Sequence, residues 1–237
     1  MAQLSPINSK DHALVKIEQT YNIESLRTLS TMMVFPVEIA AVQREYAIIF
    51  RKHPDTGRLF PNILLGLAER ENLFVDEAGQ WQGYYQPLSL QKGPFLITTN
   101  PNADKANDVL AIDLDDPRVS ESKGEAIFDE NSQPSAYLDK VNQVLAQMHA
   151  DADNIAKMVD TFTELTLIEP LTLNIQLKNE EVLNLGGAYT ISKEKIAALT
   201  GEQLTTLNQA GFLSLAFYIA DSLTNLTKLI DKKNSKI

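Results

Sequence analysis

From residue 133 to 165 the apolar side chains fall at Leu138, Val141, Val144, Leu145, Met148, Ala152, Ile155, Met158, Val159, Phe162 and Leu165. Spacings of three and four place them on one stripe, which predicts an amphipathic helix of about 30 residues. The stretch holds no glycine, and its one proline, Pro134, stands at the start. Asp151 and Asp153 mark the expected place for a break. The period changes after Pro170. Leu171, Leu173, Ile175 and Leu177 alternate with polar residues, so 171–177 reads as a strand with one apolar face. Residues 184–187 read as a turn and 189–191 as a short strand. Three helix signals follow. Ser192 can cap 193–199, Thr200 with Gln203 forms a capping box for 202–209, and Gly211 suits the position after a helix end. Residues 212–232 then carry a terminal amphipathic helix, with Lys232, Lys233 and Lys236 complementing its dipole.

The first part has a different rhythm. Residues 1–30 are mixed and polar, a loosely held lead-in. Residues 32–35 are apolar, and Pro36 fits the first position of a helix over 37–44, where its missing N–H is harmless. The aromatic and β-branched content of 45–52 predicts a strand, followed by a turn at 55–57 and an apolar segment at 60–67. Residues 72–75 and 81–85 read as an antiparallel pair around a turn at 76–79. Two further strands, 94–98 and 109–114, flank a polar loop at 101–107, and 124–128 adds a short strand. The expected fold is α+β: a strand-rich, mainly antiparallel part over 31–130, and a mostly helical part over 131–237 packed on the same sheet. Residues 129–135 form the boundary. The strand at 171–177 needs a sheet to join, so one compact unit is expected.

Composition narrows the function more than the fold. Hydrophobic residues make up 44% and charged residues 22% of 237, an ordinary globular balance. The net charge of −10 argues against nucleic acid or an anionic membrane as partner. Cysteine is absent, which removes disulfides, thiol nucleophiles and thiolate metal sites, and fits a reducing, cytoplasmic setting. The first residues lack the basic and apolar regions of a signal peptide, and no run approaches the roughly 20 apolar residues of a membrane span.

Three groups of residues could carry chemistry. Asp113, Asp115 and Asp116 end a predicted strand, and alternation puts Asp113 and Asp115 on one face, where a divalent cation such as Mg²⁺ or Ca²⁺ could be shared. Asp129 and Glu130 would join them if the two strands were neighbours. Without such an ion no cofactor is expected. Trp81 and Tyr85 fall on one face of the 72–95 region. With Arg70 and Lys92 they could form an aromatic and basic groove for a peptide, a protein or a small polar ligand, though half of a sheet core is the plainer reading. Arg44, Arg51, Lys52, Arg58 and Arg70 collect in the first third. They could hold a carboxylate ligand or pair with Glu38, Glu45, Glu69 and Glu71. The three histidines are scattered, only His149 and Asp153 share a helix face, and no catalytic residue is assigned. Gly186-Gly187 lacks the spacing of a phosphate loop.

The ordered segments MVFPVEIAAVQREYAIIFR, LLGLAERENLFVDEAGQWQGYYQP, GPF, GEAIFDENSQPS and NLGGAYTISKEKIAALTGEQLTTLNQAGFLSLAFYIADSLTNLTKL together resemble the SapC family, named for surface-layer protein gene clusters. The resemblance covers about 32–229 and lies in the ordered set of segments. It implies a gene neighbourhood with TonB-dependent receptors, halogenase-like and cupin-like proteins, and it implies no catalytic set. One departure stands before Pro94-Phe95, where Gln91-Lys92-Gly93 supplies one lysine in place of the expected basic pair. A permease reading of the family name conflicts with the lack of spans. The leading expectation is a non-enzymatic cytoplasmic binding or accessory protein. The alternatives are an enzyme using the Asp113, Asp115 and Asp116 carboxylates, with or without a metal, and a scaffold that forms a homodimer through the terminal helix.

Overall fold

The computed structural model describes residues 3–21, 23–99 and 108–237, so the expected loop at 101–107 lies outside the described residues. Strands β1 (Leu4–Pro6) and β2 (Lys16–Ile17), the one-turn helix α1 (Glu24–Arg27) and β3 (Thr31–Met33) come first. A 3-10 turn at Pro36–Glu38 leads into α2 (Ile39–Val42), β4 (Ile48–Lys52) and β5 (Leu59–Leu64). Then follow α3 (Leu88–Gln91), β6 (Phe95–Thr99), β7 (Asp108–Asp113), β8 (Val119–Ser120) and β9 (Glu125–Ala126). The second half holds α4 (Ala136–Glu164), β10 (Ile168–Gln176), β11 (Val182–Ile191), α5 (Lys193–Ala197), α6 (Gly201–Gln209), α7 (Leu213–Ser222) and α8 (Leu226–Asn234). The fold is α+β, with antiparallel sheets and a helical C-terminal part.

A five-stranded antiparallel sheet in the order β10-β11-β4-β5-β3 is the scaffold. Its central strand β4 carries Ile48, Ile49 and Phe50, all with no exposed surface. The late strand β10 thus joins a sheet whose other half comes from the first 64 residues. Two three-stranded sheets, β1-β7-β6 and β8-β2-β9, hold the residues of the lead-in, and Ile17 is buried there.

Helix α4 runs unbroken for 29 residues, capped by Ser135, whose Oγ accepts from the Leu138 N–H at 3.2 Å. The expected break does not occur. Asp151 is buried and accepts hydrogen bonds from the Val37 N–H at 2.6 Å and Asn154 Nδ2 at 2.8 Å, so its carboxylate ties the helix to the 36–38 turn. The C-terminal half of α4 enters the main core through Met158, Val159 and Phe162, whose ring meets Phe50 edge-on at 6.4 Å and Phe212 at 6.3 Å. Its N-terminal half enters a second core with Leu138, Val141 and Leu145 against Ile17, Phe95, Ile112 and Ile127. A small cluster of Phe35, Leu88 and Val144, with Met148 and Ile155 packed against it, extends along the middle of the helix.

Four local readings are corrected. The turn between β10 and β11 lies at 177–181, closed by Leu177 and Glu181, and β11 continues through Gly186 and Gly187. A register irregularity between Leu171 and Leu173, with Gly187 at φ +69°, absorbs the glycines as a bulge. The antiparallel pair expected at 72–75 and 81–85 shrinks to one bridge, Val75 to Trp81. Ser192 gives no side-chain cap to α5; its hydroxyl donates to Glu194 at 3.1 Å instead. The terminal helix is interrupted at Leu223–Asn225, where the Asn225 amide donates to the Gln43 and Tyr46 carbonyls at 2.8 and 3.2 Å.

Candidate functional site

A cleft of about 210 Å³ opens where the two cores meet, with Leu90 of the main core on one side and Ile17 and Val141 of the second on the other. Two glycines let its walls approach. A Cβ on Gly124, which has φ +102°, would stand 2.2 Å from the Ile17 carbonyl oxygen, so only glycine lets this loop close against β2. Gly93, at φ +59°, lies under Tyr137, whose Oη would be 3.2 Å from an added Cβ. Around the cleft stand the amides of Gln19, Gln86 and Gln91, the phenols of Tyr21 and Tyr137, and the guanidinium of Arg118.

Arg118 is the fixed point. Its Nε and Nη2 donate to the two carboxylate oxygens of Asp116 at 2.9 and 2.7 Å, and the side chains are only 11% and 15% exposed. Burial opposes ionisation of Asp116, but hydrogen bonds and charge from Arg118 outweigh it and hold the carboxyl below its ordinary value. Lys92 sits beside this pair. Its Nζ donates to the Gly93 and Phe95 carbonyls at 3.4 and 3.2 Å. Burial first, and the Arg118 charge second, push its pKa down, while Asp116 and Asp113 partly restore it. Burial likewise raises the Tyr21 and Tyr137 phenols, which stay neutral donors near pH 7. Tyr21 Oη accepts from Gln86 Nε2 at 2.7 Å.

The sequence-derived candidates separate. Lys92 and Asp116 do not line the cleft themselves but stand beside Arg118, which does, and Asp113 is close enough to act on Lys92. The three aspartates do not converge. Asp113 Oδ1 accepts from the Asp115 N–H at 3.1 Å, Asp115 Oδ2 from the Gln3 N–H at 3.0 Å, and Arg118 holds both oxygens of Asp116. Among the described residues no three metal-ligating side chains form a group that could hold an ion. Asp129 closes its own turn by accepting from the Asn131 and Gln133 N–H groups, both at 2.8 Å. His149 faces Asp108 at 3.7 Å on the surface.

Trp81 and Tyr85 pack against the main core. Trp81 stacks on Phe74 at 5.7 Å and donates to Tyr46 Oη at 3.3 Å. Tyr85 Oη donates to Glu38 at 3.1 Å, and Arg70 pairs with Glu24 at 2.7 Å. Among the described residues, the cavities at the core junction and on the sheet bring Arg70, Trp81 and Tyr85 into no common lining. The aromatic neighbour that does reach the cleft is Tyr21, whose ring lies 6.0 Å from Trp81. The apolar face of the terminal helices turns inward through Ala216, Ile219, Ala220 and Leu229, leaving Phe217 exposed.

Sequence reasoning missed Arg118, Tyr21, Tyr137 and Gln86, which come from four separate segments. Only the Asp116-Pro-Arg118 spacing carried a local signal, an acid and a base two residues apart around a turn. Among the described residues no helix is long and apolar enough to cross a membrane. No curated protein and no solved structure matches the chain. The SapC family model matches residues 7–229 of the 237, and the chain belongs to the SapC family.

Proposed function

We propose that this protein is a binding protein that takes a small, hydroxyl- or amide-rich ligand into the cleft between its two cores. The observation that carries the reading is the lining. Three carboxamides and two neutral phenols share the lining with Glu18, Glu125, Lys140 and a guanidinium already oriented by Asp116. Such a set offers donors and acceptors in mixed order, which suits a polyhydroxylated or amide-bearing molecule better than an apolar one. Sites at the junction of two packed units are common for small ligands. From the 72–95 region the cleft takes Gln86, Leu90, Gln91 and Gly93, with Trp81 packed beside Tyr21. An enzyme built on Asp113, Asp115 and Asp116 has less support, because each of these carboxylates is held by the hydrogen bonds of its own turn, of Gln3 or of Arg118.

Trp81 is the single tryptophan, and its neighbour Tyr21 lines the cleft, so its emission reports occupancy. Titration with monosaccharides, amino-acid amides and short neutral peptides should give a saturable change in emission for at least one class. The same ligand should raise the melting midpoint by mass action. Both effects should be lost in Gln86→Ala and weakened in Tyr137→Phe. A folded protein whose emission answers to none of the three classes contradicts the reading.

A further inference from the structure

A second site lies at the middle of the five-stranded sheet. Arg51 stands on β4, with Ala188 of β11 opposite it on one side and Phe60 of β5 on the other. The preceding residue, Phe50, meets Phe162 of α4, so Arg51 projects from the other face of the sheet. The Arg51 Nε is buried without a hydrogen-bond partner, and no described carboxylate pairs with the side chain. Its basic neighbours differ. Arg58 pairs with Asp160 at 3.5 Å and Arg70 with Glu24 at 2.7 Å. A half-buried guanidinium left unpaired is unfavourable unless something else meets it.

What it faces is a cavity of about 430 Å³. β11 sets Ala188 opposite Arg51 and lines the cavity with Gly186, so neither position brings a side chain beyond Cβ. A Cβ built on Gly186 meets nothing within 4 Å. Leu64, Leu67 and Leu185 give apolar walls, while Thr31 and Asn184 add neutral polar groups. Among the described residues, Arg51 is the one cation in this lining and Glu69 its one carboxylate, on an exposed residue. A guanidinium matches a carboxylate through two parallel hydrogen bonds. The lone positive charge and the nearby Glu69 disfavour a dianion such as phosphate.

We infer that this cavity binds a small monocarboxylate with an aliphatic body, its carboxylate on Arg51 and its carbon chain against Leu64, Leu67 and Leu185. The site shares no lining residue with the cleft between the cores, and the inference does not rest on the function proposed for that cleft. The carboxylate could belong to a free acid or to the C-terminus of a peptide ending in leucine.

The test is calorimetric titration of the full chain with 4-methylpentanoate, its neutral amide, the tripeptide Ala-Ala-Leu and inorganic phosphate. Saturable binding of the acid or of the tripeptide, with none of the amide, supports the site, and the stronger of the two binders assigns the source. Arg51→Gln should weaken that binding at least tenfold. Gly186→Leu fills the cavity from open space while leaving the arginine in place, so it should also abolish binding and still melt near the wild-type midpoint. The inference is overturned if the amide binds as well as the acid or if phosphate binds in preference. It is equally overturned if Gly186→Leu binds like wild type, or if neither carboxylate binds the folded protein.

Discussion

Glu38 shows how one side chain can hold several segments together. It is 3% exposed, and its two oxygens accept from the Phe35 N–H at 3.0 Å, the Leu88 N–H at 2.9 Å and the Tyr85 hydroxyl at 3.1 Å. These bonds favour the ionised form, yet burial outweighs them and, with the nearby Asp151, raises the pKa above its ordinary 4.5. A raised carboxyl binds its proton more tightly in the folded than in the unfolded chain. Its contribution is therefore fully present below pH 4.5 and is lost as pH rises through the folded value. The stability of wild type relative to Glu38→Gln should fall with rising pH across that window, as read from urea midpoints. A pH-independent difference would show that the group titrates normally. Lys92 behaves oppositely. Its depressed pKa means that burial penalises the charged form at neutral pH. Lys92→Met should melt at or above the wild-type temperature at pH 7. A fall in the midpoint would make the lysine a structural residue.

At the scale of elements, the joint between α7 and α8 ties the helical end to the sheet. Ser222 has no exposed surface. Its Oγ accepts from the Ile48 N–H at 2.8 Å and donates to the Ile219 carbonyl at 2.6 Å. Ser222→Ala leaves a buried N–H on the central strand unsatisfied and should cost about 1–3 kcal/mol in urea unfolding. A change below about 0.5 kcal/mol, the usual range for surface substitutions, would mean that the strand end finds another acceptor. The same joint shows what could be read from sequence. Helix α4, the apolar strand β4 and the Thr200–Gln203 capping box were legible because periodicity and local side-chain bonds determine them. The 3-10 interruption before α8 was not, since it depends on Asn225 reaching the carbonyls of Gln43 and Tyr46. The lost return strand has a similar cause. The Glu45 carboxylate takes the Tyr84 and Tyr85 N–H groups at 3.1 and 3.2 Å, which a ladder would otherwise use. Arg118 and Tyr137 reach the cleft through tertiary packing between segments, which leaves no periodic trace.

For the whole molecule, α4 is the shared spine, about 43 Å long at 1.5 Å per residue. Its first half supports a second core that draws on β6 and β7 through Phe95 and Ile112 and on the two-residue strand β2 through Ile17. Its second half enters the larger core around the five-stranded sheet. Cooperativity between the two should therefore pass through the helix. In wild type, far-UV dichroism and Trp81 fluorescence should melt together, because Trp81 packs on the main core and the dichroism is dominated by helices. Ala150 is exposed on the stretch of α4 between Leu145 of the second core and Met158 of the main one, so replacing it removes no core packing. Ala150→Pro deletes an internal hydrogen bond and kinks the helix there, at about 3 kcal/mol. The dichroism should then begin to fall at a lower temperature than the Trp81 signal, as the N-terminal half of α4 and the second core release first. Ala150→Gly, at about 1 kcal/mol, should lower both transitions together and keep them coincident. If the proline variant also melts as one unit, the coupling runs through the cleft contacts of Leu90, Ile17 and Val141, and α4 is not the element that joins the two cores.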